Sequence, residues 1–184
     1  MIPQELRTER LLLRQWRDGD ADALAEIYSQ PEFLEHNPVY DPAAHVERFA
    51  CQWEREGFGL WAAEDAASGG FVGRIGLMRH HDWPAAPDPV EVGWALHRDW
   101  WGRGLATEGG RASVECWRTH LADPQLISIT VPANGRSRAV MERLGLTLRG
   151  EATWHAHDVV WYAIDAEPPL SSGARRSARR RAAT

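Results

Sequence analysis

The chain has no lysine; all 21 of its basic residues are arginine. With its abundant alanine, that bias reflects GC-rich coding rather than a task. Its two cysteines, Cys51 and Cys116, are too few for a disulfide framework or a four-cysteine zinc site. Their scarcity fits a reducing, cytoplasmic compartment. Both fall on apolar faces of predicted helices, where thiols are buried and inert. No apolar run reaches the ~18 residues of a membrane span. The opening Met1-Ile2-Pro3-Gln4-Glu5 lacks the basic-then-apolar order of a secretory signal. These absences exclude a membrane protein, a disulfide miniprotein and a collagen-like chain.

What is present is the composition of one globular domain. The 184 residues are 43% hydrophobic and 26% charged, and at ~150 residues per domain they make about one. Charge is unevenly placed. Residues 171–184 carry five arginines and no acid. Residues 1–170 hold 26 acids against 16 arginines, a formal charge of −10. The expected organisation is a domain over 1–170 and an Arg-rich, disordered tail over 171–184. An acidic body argues against nucleic acid and for cationic partners; only the tail suits an RNA contact.

Hydrophobic periodicity sets the elements. Arg10 to Arg14 reads as a buried strand. Asp20 to Ser29 reads as a helix, with Asp20 as its N-cap. Pro31 to Pro42 reads as a loop, and Ala43 to Glu56 as a helix closed by Gly57. Gly59–Glu64 and Phe71–Met78 form a hairpin across a turn of small and polar residues. A second loop, His80 to Pro89, precedes the strand Val90–Leu96. A helix over Leu105–Leu121, a strand over Ile127–Val131 and a helix over Arg136–Arg143 follow. The strands Leu146–Trp154 and Val159–Asp165 make a last hairpin. The fold class that follows is α/β: a single mixed, mostly antiparallel sheet with flanking helices.

The sharpest local feature is Trp101-Gly102-Arg103-Gly104-Leu105-Ala106-Thr107-Glu108, between a strand and the long helix. Glycines at alternate positions leave backbone N–H groups uncovered, and the helix start adds its own unpaired N–H groups. Such a place suits a phosphate or pyrophosphate. It is also an ordinary structural turn. It lacks the Lys-Ser/Thr of a nucleotide-hydrolysing loop.

This stretch resembles the acetyl-CoA loop of the GNAT acetyltransferases, Gln/Arg-x-x-Gly-x-Gly/Ala, with Trp101 in place of the leading Gln or Arg. The Trp-Gly-x-Gly-x-Ala-Thr-Glu form is similar to the RimJ/RimL-like branch. Thr8–Arg14, Val90–Trp94, Asn134–Leu146 and His157–Tyr162 resemble further segments of that branch, in order, over about residues 7–166. The resemblance implies the GNAT fold and acetyl transfer from acetyl-CoA to a primary amine, either a protein N-terminus or a small molecule. It implies that Trp94, Ala95 and Leu96 offer backbone groups to the pantetheine arm where two parallel strands splay. Gly102, Arg103, Gly104, Leu105, Ala106 and Thr107 would bind the pyrophosphate, and Asn134 the thiol end. Glu91 would act as base and Ser137 as the donor to the leaving thiol, since Met141 replaces the tyrosine many relatives use there.

Each assignment has a plainer rival. Glu91 is also a solvated strand residue, Ser137 a local hydrogen-bonding residue, and Asn134 a helix cap. A non-catalytic acyl-CoA-binding protein on the same fold is the rival function. His80-His81 and His155/His157 look metal-like in pairs. No carboxylate or cysteine recurs at ligand spacing, so they read as surface histidines and no metal is expected. Trp53, Trp94, Trp117 and Trp161 read as core. Trp16, Trp83, Trp100 and Trp154 lie near loops, where an aromatic wall suits a cationic amine. Exposed tryptophans make a homodimer unsurprising.

Overall fold

A computed structural model of the chain describes residues 1–166; the Arg-rich segment 171–184 lies outside the described residues. Eight strands and five helices follow one another: β1 (Leu6–Arg7), β2 (Leu11–Arg14), α1 (Asp20–Tyr28), α2 (Pro31–Leu34), α3 (Pro42–Glu56), β3 (Leu60–Asp65), β4 (Phe71–Arg79), β5 (Val90–Leu96), α4 (Leu105–His120), β6 (Gln125–Thr130), α5 (Gly135–Arg143), β7 (Thr147–Trp154) and β8 (His157–Asp165). One sheet runs β1-β2-β3-β4-β5-β6-β8-β7. Every pairing is antiparallel except β5 with β6, which α4 connects. A tight turn cannot return a strand parallel to its predecessor, so the helical crossover dictates that one pair.

The sheet is covered on both faces. Strand positions Ile75, Leu77 and Val92 pack with Val114 and Trp117 of α4. On the other face Leu60 and Ala95 pack with Leu24 and Ile27 of α1 and Phe49 of α3. Helix α4 lies close on the sheet because it is bare there. A Cβ on Gly109 would stand 2.7 Å from Ile75 Cδ1 of the sheet, and one on Gly110 would stand 2.8 Å from Leu144 Cδ1 at the end of α5. Helix α3 is bounded as its sequence dictates: Asp41 accepts from the Ala43 and Ala44 N–H groups, and Gly57 closes it at φ 71°.

Several expectations are corrected. Residues 31–42 are not all loop, since Pro31 starts the short helix α2. Asp20 does not cap α1; Gly19 does, without a side chain. Asp20 is buried and accepts from Arg14 at 2.7 and 2.9 Å and from the Arg17 N–H at 2.7 Å. A buried guanidinium outcompetes a helix end for a carboxylate. Cys51 is exposed, on the outer side of α3, while Cys116 is buried as expected. Burial raises the Cys116 thiol pKa.

Candidate active site

The parallel pair β5–β6 is joined only at its start. Val90 pairs with Leu126 and Glu91 with Ile127, and the strands then part. Side chains take over the freed polar groups. The Ser128 hydroxyl donates to the Val92 carbonyl at 2.8 Å, and the Ile129 N–H donates to Glu91 Oε1 at 3.2 Å. Because the Val92 carbonyl faces β6, strand alternation turns the Trp94 and Leu96 backbone groups the same way, into the gap. The Trp101 indole N–H fills the Leu96 carbonyl at 2.8 Å. That bond is what Trp101 does in place of the Gln or Arg of the acetyl-CoA loop pattern.

Glu91 is not a solvated strand residue. It is 8% exposed, and its Oε2 lies 2.6 Å from His80 Nε2. His80, expected on the surface, is likewise enclosed, with the Trp154 ring 4.7 Å away edge-on. Trp83 and Trp161 continue this wall, at 5.5 Å from Trp154 and 6.1 Å from Trp83 respectively. The carboxylate therefore stands at the apex of the gap, held on both oxygens, beside an aromatic wall.

The loop after β5 is tied down from several sides. The Trp100 indole donates to the Phe71 carbonyl at 3.1 Å, and Arg103 lies 4.9 Å over the Trp100 ring. Arg136 lies 4.9 Å over Trp101. Arg10 donates to the Arg103 carbonyl at 2.8 Å while holding Glu108. Burial alone raises the Glu108 carboxyl. Hydrogen bonds from Thr8 and Arg10 outweigh it and keep the group below its ordinary range.

Gly102 and Gly104 take φ 73° and 79°, a left-handed backbone that a Cβ strains. Gly104 also heads α4 with no side-chain cap, so the first N–H groups of α4 lack intrahelical partners. A Cβ on Gly102 would meet nothing within 4 Å. The loop is thus open, with its N–H groups uncovered at a helix start, and it fits a pyrophosphate.

Asn134 and Ser137 open α5, beyond the end of β6 on the far wall of the gap. Asn134 Oδ1 caps the Ser137 N–H at 3.1 Å, which leaves the Asn134 amide NH2 without a protein partner among the described residues. Ser137 is half-buried. Met141 turns inward, 1% exposed, into the core. Among the described residues no group of three or more His, Cys, Asp or Glu is placed to hold a metal. Nor is any described helix long and apolar enough to cross a membrane.

The profile of the acetyltransferase (GNAT) domain matches residues 10–147. The chain belongs to the GNAT acetyltransferase family. Membership implies acetyl transfer with acetyl-CoA as co-substrate. The chain is 32% identical over 142 residues to the FsC-acetyl coenzyme A-N(2)-transacetylase of Aspergillus fumigatus, spanning 71% of this chain and 55% of that protein. It is 30% identical to an acetyltransferase from Agrobacterium tumefaciens str. C58, with a TM-score of 0.76 over 89% of this chain and 95% of the other. A ribosomal-protein-S5-alanine acetyltransferase from Vibrio fischeri shares the fold at a TM-score of 0.70 and 14% identity, over 89% and 97% of the two chains.

Two residues beside Glu91 and Val92 were not assigned to this place from the sequence: His80, read there as a surface histidine, and Ser128. His80 and Ser128 carry no motif. Their roles come from register. Met78 opposes Glu91, so His80 sits on the neighbouring diagonal of the same face.

Proposed function

We propose that this acetyltransferase moves acetyl from acetyl-CoA to the nitrogen of a primary amine, with Glu91 as base. The supporting observation is the buried Glu91 carboxylate at the apex of the β5–β6 gap, hydrogen-bonded to His80. The name of the fungal relative, an N(2)-transacetylase, places acetyl on nitrogen in that protein.

Acetyl-CoA, when bound, supplies an activated carbonyl carbon. Gly102, Arg103, Gly104, Leu105, Ala106 and Thr107 hold its pyrophosphate by backbone N–H groups. Trp94, Ala95 and Leu96 line its arm along the open edge of β5, with the gap-facing N–H groups of Trp94 and Leu96 as donors. The Asn134 amide reaches its thiol end. Glu91 takes one proton from the incoming ammonium, directly or through water, and His80 keeps the carboxylate aimed. The new C–N bond forms as the C–S bond breaks. The nitrogen gives up its second excess proton to water as the amide forms, and the departing sulfur, hydrogen-bonded by the Ser137 hydroxyl, takes one proton from solvent. With both substrates held together, proximity supplies much of the rate and no acetylated side chain is needed.

The test is release of free CoA thiol from acetyl-CoA with a panel of small amines and N-terminal peptides. Amine-dependent release supports the proposal. A thermal shift with acetyl-CoA but no release from any amine identifies an acyl-CoA binder instead.

A further inference from the structure

Among the described residues, three enclosed arginines are held by side chains: Arg14 and Arg79 by carboxylates, and Arg138 by the Tyr162 hydroxyl, to which its Nε donates at 3.0 Å. Arg14 holds Asp20 at 2.7 Å and Glu64 at 2.5 Å, and Arg79 holds Asp123 at 2.8 Å and Glu56 at 3.2 Å. Arg74, half-buried on β4, has no carboxylate in ion-pair range among the described residues. Its Nε is buried with no hydrogen-bond partner.

A second cation joins it. Arg74 lies 5.7 Å from the Phe49 ring centroid, and Arg48 of α3 lies 5.6 Å from the same ring. Of the neighbouring groups, His45 and Tyr40 are neutral, and the Asp41 carboxylate acts on His45 more weakly than burial and the two arginines do. His45, 5.4 Å from Phe49, is held neutral: burial first, then Arg48 and Arg74, push its imidazole down to about 4. Tyr40 stacks 4.4 Å from His45. Its phenol is raised by burial, pulled down by Arg74 and pushed up by Glu91, so it feels both charges.

Arg74 and Glu91 share a face. Met78 opposes Glu91, Gly76 opposes Gly93 and Arg74 opposes Ala95, and side chains alternate along each strand. The middle rung is glycine on both strands. A Cβ on Gly93 would meet nothing nearer than the Glu91 carboxyl carbon, at 3.9 Å. The surface is therefore open over Gly93, next to the Glu91 carboxylate, while a Cβ on Gly76 would meet the Gly59 carbonyl at 2.5 Å; beyond this rung, Ala95 packs under α1 and α3 beside the Arg74 guanidinium. The rungs of Glu91 and Ala95 are ~13 Å apart along the strand, and the long arginine side chain shortens the reach.

We propose that this surface seats an acceptor bearing a carboxylate as well as an amine, the amine at Glu91 and the carboxylate at Arg74 with Arg48 at the mouth. The inference rests on the amine-acetyltransferase reading above and names its substrate class. A planar guanidinium engages a carboxylate by two parallel hydrogen bonds. The buried Nε, unsatisfied in the free protein, is one of its donors.

The test uses the full chain saturated with CoA, so that no turnover occurs. Isothermal titration compares ω-amino acids, glycine to 6-aminohexanoate, with alkylamines of the same lengths. The expected result is at least tenfold tighter binding of the amino acid at one or more lengths. Arg74→Gln should remove most of that preference and Arg48→Gln part of it, with the acetyl-CoA thermal shift retained as a check on folding. Equal or undetectable binding of both series at every length overturns the inference. So does a preference that survives in the doubly substituted protein. Thiol release separates the two readings. Release with alkylamines and amino acids alike keeps the transferase and removes the subsite. Selective binding without release keeps the subsite and removes the transfer.

Discussion

His80 Nε2 and Glu91 Oε2 lie 2.6 Å apart at the point where β5 leaves β6. The second oxygen of Glu91 accepts the Ile129 N–H. A carboxylate held on both oxygens has one orientation, and its single rotamer costs no ordering when an amine arrives.

Glu91→Gln retains the volume and an acceptor for the Ile129 N–H but cannot take a proton. General bases contribute ~10²–10⁴ in rate, so kcat should fall by about 100-fold or more. The acetyl-CoA thermal shift should persist. Thiol-release kinetics beside thermal unfolding check both statements, and an unchanged kcat removes Glu91 as the base.

On the proposed reading, His80 acts through Glu91 as a positioning residue. His80→Ala should lower kcat by roughly tenfold, a fraction of the general-base contribution, with KM for acetyl-CoA unchanged. His80→Gln, which retains a donor, should recover most of the loss. A merely structural role would instead lower the unfolding temperature of both variants without separating kcat from KM.

The loop at the start of α4 makes a binding prediction. Acetyl-CoA at ~100 times its dissociation constant should add about 2.7 kcal/mol of stability. For a domain of this size that is roughly 5–10 °C in unfolding temperature. Gly104→Glu sets a like charge at the phosphate site and a Cβ at φ 79°, and should abolish the shift. A shift of wild-type size in the variant places the pyrophosphate elsewhere.

His45 gives the fold a pH dependence. Burial and two arginines depress its imidazole from 6.5 to about 4. Between those values the unfolded chain binds a proton that the folded one does not, so this contribution is full above pH 6.5 and is lost as pH falls towards 4. Discounted for the partial exposure of the ring, the effect is roughly 1–2 kcal/mol. Urea titrations at pH 7 and pH 4.5 should show it, and His45→Phe should flatten that part of the profile. An identical profile in the variant assigns the dependence to another group.

The elements were legible in the sequence where the signal is local. Apolar periodicity located α3, α4 and the strands from β3 onward to within a few residues, because a helix face or strand face is written in consecutive positions. Gly102 and Gly104 were legible because only glycine takes their backbone angles without strain. Asp20 was misread for the same local reason: an acid before an apolar face suits a cap, and nothing nearby announces that Arg14 needs it more. Cys51 was misplaced because a thiol was counted as apolar, although its helical neighbours Glu47, Arg48, Glu54 and Arg55 are charged and α3 turns that position outward.

By itself, the sequence determined an acidic chain of α/β class with one mixed sheet, the glycine loop with its open helix start, and the membership those motifs signal. Only the tertiary structure decided which side chains meet across strands. The parting of β5 from β6, the pairing of His80 with Glu91, and the placing of Arg74, without a carboxylate among the described residues, on the same side all depend on register between segments distant in the chain. Register is set by packing on both faces of the sheet at once, and no window of consecutive residues contains it.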